Sequence, residues 1–104
     1  MDNRGIGLSD APDHSRWRTA DMAHDVASLV TDELGWTEGQ VHLVGYSLGG
    51  MIVAEACLLY PHLWRSATLM STAAGGLAAF PPLSGFAKLK CAMDHVGKVI
   101  AVGE

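Results

Sequence analysis

Charge is scarce in this 104-residue chain: 17% of residues are charged, and the net charge at pH 7 is −4. A modest negative balance spread along the chain argues against a nucleic-acid-binding surface and gives no reason to expect attraction to anionic membrane. Cysteine is limited to Cys57 and Cys91, far apart and without ligand-like spacing. No disulfide framework or metal centre is implied, and a reducing, cytoplasmic setting is expected. The start, Met1-Asp2-Asn3-Arg4-Gly5, lacks the apolar run of a signal peptide. The longest uncharged run, Ser66 to Ala87, is long enough to span a bilayer, yet Gly75-Gly76 and Pro81-Pro82 interrupt it. A strand followed by a loop fits it better than a membrane helix. The glycines offer no dinucleotide pattern, and Gly45 to Gly50 lacks the lysine of a phosphate loop, so no cofactor is expected. What remains is ample apolar content, 49%, enough for one globular domain and its core.

The most informative stretch is Val41 to Tyr60. Val41-His42-Leu43-Val44 has the length and branching of a buried strand. Leu48 to Tyr60, rich in Ala, Leu, Met and Glu, predicts a helix over 48–60. Between them stands Gly45-Tyr46-Ser47-Leu48-Gly49, with Ser47 on a one-residue corner. Such a corner forces a sparsely populated backbone conformation costing about 1–3 kcal/mol, and it needs little bulk two residues to either side. Gly45 and Gly49 are expected to supply that space. The corner would expose the Ser47 hydroxyl beside the first N–H groups of the helix, which favour negative charge.

To the N-terminal side, Met22, Val26, Leu29, Val30 and Leu34 recur at helical spacing. They predict a helix over 19–34, capped by Thr19, with Asp21 complementing the dipole, Asp25 on the wetter side and Gly35 as the stop. To the C-terminal side, Tyr60-Pro61 ends the helix that follows the corner. Ala67-Thr68-Leu69-Met70 then reads as a second strand within about 66–71. Leu77 to Phe86 is apolar and broken by prolines, and a weaker helical period runs over about 86–100. His24 and His42 read as solvated or packed side chains rather than ligands.

A helix followed by a strand, a Gly-x-Ser-x-Gly corner and another helix resembles the nucleophile-bearing segment of the α/β-hydrolase family, serine branch. Asp2-Asn3-Arg4-Gly5-Ile6-Gly7-Leu8-Ser9 is likewise similar to the loop that follows the fourth strand in many members. The resemblance spans Asp2 to about Thr72 and treats Asp2 and Arg4 as loop-bracing residues. It implies an α/β fold, an incomplete hydrolase core over residues 1–104, with parallel strands at about 41–45 and 66–71. Three readings stay open for the residues from about 77: the start of a cap region, the wall of an acyl pocket, or a loop packed on the core. An apolar strand precedes that loop in the family, which suggests a start at an internal methionine.

The same resemblance implies chemistry. Ser47 would be the nucleophile, and the N–H of Leu48 would help bind the oxyanion of a tetrahedral acyl intermediate. The substrate class would be a small acyl compound: an ester, thioester or related carbonyl. A serine at this position disfavours the branches that use a carboxylate nucleophile. A serine needs an imidazole and an orienting acid, which in the family follow on later loops. Asp94 and His95 stand in the right order, but neighbouring residues on a helix diverge, so neither is read as a triad member. The chain is therefore expected to be inactive alone unless a complementing chain supplies the rest. The other reading, from a different class, is a non-catalytic binding or regulatory module that keeps the corner without the triad.

Overall fold

The computed structural model describes residues 1–11, 16–72 and 99–102. Strand β1 (Val41–Tyr46) leads through Ser47 into helix α2 (Leu48–Leu59), and strand β2 (Trp64–Met70) follows. Helix α1 (Thr19–Ser28) precedes them, and β3 (Val99–Val102) completes a parallel sheet of order β1-β2-β3. The two expected strands are present, each a residue or two longer or shifted. Val99 and Ile100, at the end of the weaker helix expected over 86–100, are instead strand, because their backbones pair with Ala67 and Thr68. The remainder of that helix and the stretch from 77 to 98, whether cap, pocket wall or packed loop, lie outside the described residues.

The helix expected over 19–34 is α only to Ser28 and continues as a π-helical turn, Leu29–Glu33. The Thr31 hydroxyl donates to Ala27 O at 3.1 Å, the carbonyl that an α-helix would offer to Thr31's own N–H. Leu34 N–H reaches back five residues to Leu29 O. Gly35, at φ 63, then ends the element as expected, and Trp36 N–H closes on Val30 O at 2.9 Å. At the other end Thr19 is not the cap. Arg18 takes the cap position in extended backbone, and its N–H donates to the Asp21 carboxylate at 2.8 Å.

Helix α2 packs on one face of the sheet, and α1 packs against α2. The buried stripe of α1 is Ala23, Ala27 and Val30, with Met22 and Val26 partly buried against it. This lies one position round from the stripe expected, and Leu34 is 45% exposed. Small size fits this stripe: Ala23 and Ala27 of α1 share the buried cluster with Ala56 of α2, and α1 and α2 are in contact, an approach that larger side chains would widen. From α2 come Ile52, Val53, Ala56 and Cys57, and from the sheet Val41, Leu43, Trp64 and Ala67. Trp64 is the largest fully buried side chain, and its indole N–H donates to Ala56 O at 2.9 Å, so its polar handle is satisfied. Among the described residues the opposite face of β1 is open: His42, Val44 and Tyr46 are exposed. No helix among the described residues is long and apolar enough to cross a membrane.

The N-terminal loop is tied to α1 by a bidentate ion pair. Arg4 donates from Nε to Asp25 Oδ2 at 2.7 Å and from Nη2 to Oδ1 at 2.6 Å, and its guanidinium stands 6.0 Å from the centre of the Trp17 ring. Asp25 is thus half-buried and paired, not on the wetter side. Asp2 accepts from Leu8 N–H, and its carbonyl accepts from the Ser9 hydroxyl. Both residues brace the loop, as the resemblance implies.

Burial pushes the Cys57 thiol up to about 11 from its ordinary 9.0. The unfolded chain ionises this thiol first. The contribution of the neutral thiol to stability is therefore full below pH 9 and is lost as pH rises towards 11. Alkylation mapped by mass spectrometry at pH 8 should leave Cys57 unmodified in the native chain and modify it in urea. Rapid native modification would show that α2 does not bury this face.

Candidate functional site

The bend between β1 and α2 is tight. Ser47 has φ 51 and ψ −116, and it is one of two described non-glycine residues with positive φ, the other being Ser71 at φ 44. A left-handed backbone of this kind costs a residue with a Cβ about 1–3 kcal/mol and persists only where the surroundings over-determine it. Those surroundings are specific. The Ser47 N–H donates to Met70 O at 3.0 Å. Its carbonyl accepts three times: from Gly50 N–H at 3.0 Å, from Met51 N–H at 3.3 Å and from the Thr72 hydroxyl at 2.7 Å. The Ser47 N–H is thus held by the last residue of β2, and its carbonyl by Thr72, two residues beyond that strand, as well as by its own helix.

This anchoring follows from register. Tyr46 lies opposite Met70 in the parallel pair, so the residue after Tyr46 meets the last carbonyl of β2. Ser47 and Leu48 are both exposed at the carboxyl end of the sheet. Leu48 and Gly49 open α2, where the helix has no acceptor of its own for their N–H groups. An exposed hydroxyl beside the positive end of a helix of 12 residues is an arrangement that can stabilise developing negative charge.

Two expectations about glycine divide here. A Cβ on Gly45 would stand 2.5 Å from the Gly49 carbonyl carbon and 2.7 Å from Gly50 Cα, so the backbone crossing demands glycine at 45. Gly49 needs no such exemption, because a Cβ there would meet nothing within 4 Å. The second demanding position is Gly50, where a Cβ would stand 2.6 Å from both Cβ and Cγ2 of Thr72. Sequence spacing points to 49 because it assumes a symmetric corner, whereas the crowding comes from the chain after β2. Thr72 and the Met70 carbonyl were not foreseen either, since a backbone acceptor carries no residue signature and Thr72 stands in an ordinary Ser-Thr-Ala context.

The described histidines are engaged elsewhere. His24 Nδ1 pairs with the Tyr60 hydroxyl at 2.8 Å, and His42 Nδ1 with the Ser66 hydroxyl at 2.7 Å. His62 Nε2 lies 3.9 Å from Glu38. None of these contacts includes Ser47, while Asp94 and His95 lie outside the described residues. No group of three metal-ligating side chains occurs among the described residues. A shallow cleft of about 340 Å³ opens between the N-terminal loop and α1, lined by Asp2, Arg4, Ser9 and Asp25 among others, and it includes no residue of the bend.

Glycine-to-alanine substitutions separate the two positions. Gly45→Ala drives a methyl into backbone and should lower the unfolding free energy by about 3 kcal/mol. Gly49→Ala places a better helix former in open space and should leave it unchanged or raise it by up to about 1 kcal/mol. Urea titration measures both, and equal losses would mean that the chain does not cross itself at residue 45.

A family model for the alpha/beta hydrolase fold matches residues 1–95. No curated protein matches the chain. The match takes in α1, the β1–Ser47–α2 bend and β2, so that the parallel strands and the helices packed on them are a partial core of that fold, and the chain belongs to the α/β-hydrolase family.

Proposed function

We propose that this chain carries the nucleophile segment of a serine hydrolase acting on a small ester, thioester or related carbonyl substrate. The observation that supports this most is the positive-φ serine between a parallel strand and a helix, in Gly45-Tyr46-Ser47-Leu48-Gly49, within a chain of hydrolase family. In this reading the bend is the nucleophile elbow. Ser47 Oγ attacks the carbonyl carbon, its proton passes to a base, and the carbonyl π electrons move onto oxygen, where the Leu48 N–H stabilises the charge. Collapse expels the alcohol or thiol and leaves an acyl-serine, which water hydrolyses with return of the serine proton.

The base, its orienting acid and a second oxyanion donor come, in this reading, from residues other than the described ones. Histidines 24, 42 and 62 have other partners, and a serine without a base is a weak nucleophile. What this segment contributes alone is geometry: a strained, exposed hydroxyl beside helix-terminal donors. Site preorganisation without a working triad still leaves about 10³–10⁴-fold catalysis over water in complete serine hydrolases. Selective but slow reactivity is therefore the signature to seek.

Incubated with excess fluorophosphonate, the full chain should label at Ser47 in preference to Ser9, Ser28 and Ser66, slowly, with all selectivity lost in Ser47→Ala. Ester turnover should not exceed that of Ser47→Ala. Fast stoichiometric labelling would contradict inactivity alone and indicate a complete site. Labelling with no preference for Ser47 would instead favour the binding or regulatory module that keeps the bend without its chemistry.

A further inference from the structure

We infer that Thr72 is the positioning residue for Ser47, a latch that holds the bend in its reactive shape from the neighbouring strand. The inference deepens the hydrolase reading and depends on it for its functional meaning. Its geometry stands on three independent features. The Thr72 hydroxyl donates to Ser47 O at 2.7 Å across 25 residues of sequence, shorter than the Ser47 bonds to Met70, Gly50 and Met51. Ser71, immediately before it, takes a positive φ of 44, which turns the chain back over the bend as β2 ends. Gly50 leaves room for the Thr72 side chain at a separation no larger residue would allow.

These features act together on one peptide. The Ser47 carbonyl belongs to the peptide group that contains the Leu48 N–H, so its direction sets the direction of that N–H. A hydroxyl bonded to the oxygen fixes the plane of the group. Gly50 and Met51 N–H approach the same oxygen from the helix, and their bonds would form in an ordinary helix start as well. The bond from Thr72 arises only when the bend sits against the end of β2. It therefore selects the bent arrangement over a relaxed helix start, as a partner outside the helix must if a strained residue is to be over-determined.

Side-chain chemistry separates latch from filler. Thr72→Val keeps shape and removes the donor, Thr72→Ser keeps the donor and removes the methyl, and Gly50→Ala displaces Thr72 while leaving its hydroxyl intact. In the full chain, exchange of the Ser47 amide, bonded to Met70 O, should speed up about tenfold in Thr72→Val relative to core amides such as that of Ala67, the worth of one net hydrogen bond. The local NMR signature of positive φ at Ser47 should weaken with it. Gly50→Ala should reproduce both changes and Thr72→Ser should restore the parent values. Ser47 labelling by fluorophosphonate should slow in parallel. Parent-like exchange and φ at Ser47 in Thr72→Val would overturn the inference, as would an equal loss of protection throughout β1 and β2, or failure of both the Val and Ser variants to fold. Failure of the parent chain to label bears on the hydrolase reading alone, because amide exchange involves no acyl chemistry.

Discussion

The bond from Ser47 N–H to Met70 O joins the end of one parallel strand to the turn that leaves its neighbour, and the rest of the arrangement depends on it. It forms because β1 and β2 pair in one register over most of their length, with Tyr46 opposite Met70. A slip of one residue would move every side chain of a strand to the other face, exposing Leu43 and burying His42. Burial of Val41, Leu43, Trp64 and Ala67 thus specifies the register, and the register places a carbonyl under the strained serine. The stabilisation released by packing is spread over a dozen core residues, while the backbone strain among the described residues is concentrated in two serines, 47 and 71.

The packing itself is asymmetric. Buried alanines of α1 and α2 share one core with the face of the sheet that α2 covers, and Trp64 fills the space between strand and helix while giving its N–H to α2. Parallel sheets are ordinarily covered on both sides. Here, among the described residues, Val44 and Tyr46 stand 68% and 67% exposed on the other side. The bend emerges at the carboxyl end of these strands, where open α/β sheets carry their ligands. The ion pair of Arg4 with Asp25 fastens the N-terminal loop to α1, and the cleft between them includes no residue of the bend.

Much of this could be read from residues in order. Val41 to Tyr60 reads as a strand, a corner and a helix because β-branching, glycine and alanine follow the local rules for each. What was not legible arises between segments. The need for Gly50 and the contact of Thr72 exist only once β2 lies beside β1. The strand character of Val99 and Ile100 is set by pairing with β2, which overrides a weak helical period. The cap at Arg18 in place of Thr19 turns on a single carboxylate, Asp21, reaching back to a backbone N–H.

The strain at residue 47 can be measured directly by comparing two substitutions that both remove the hydroxyl. Ser47 stands at the cap of α2, where even an unstrained backbone favours glycine over alanine by about 1 kcal/mol, and a left-handed backbone adds about 1–2 kcal/mol to that preference. Urea denaturation of Ser47→Gly and Ser47→Ala should therefore find the glycine variant more stable by about 2–3 kcal/mol. If the two differ by no more than about 1 kcal/mol, Ser47 does not occupy a strained bend, and the nucleophile-elbow account built on it is wrong.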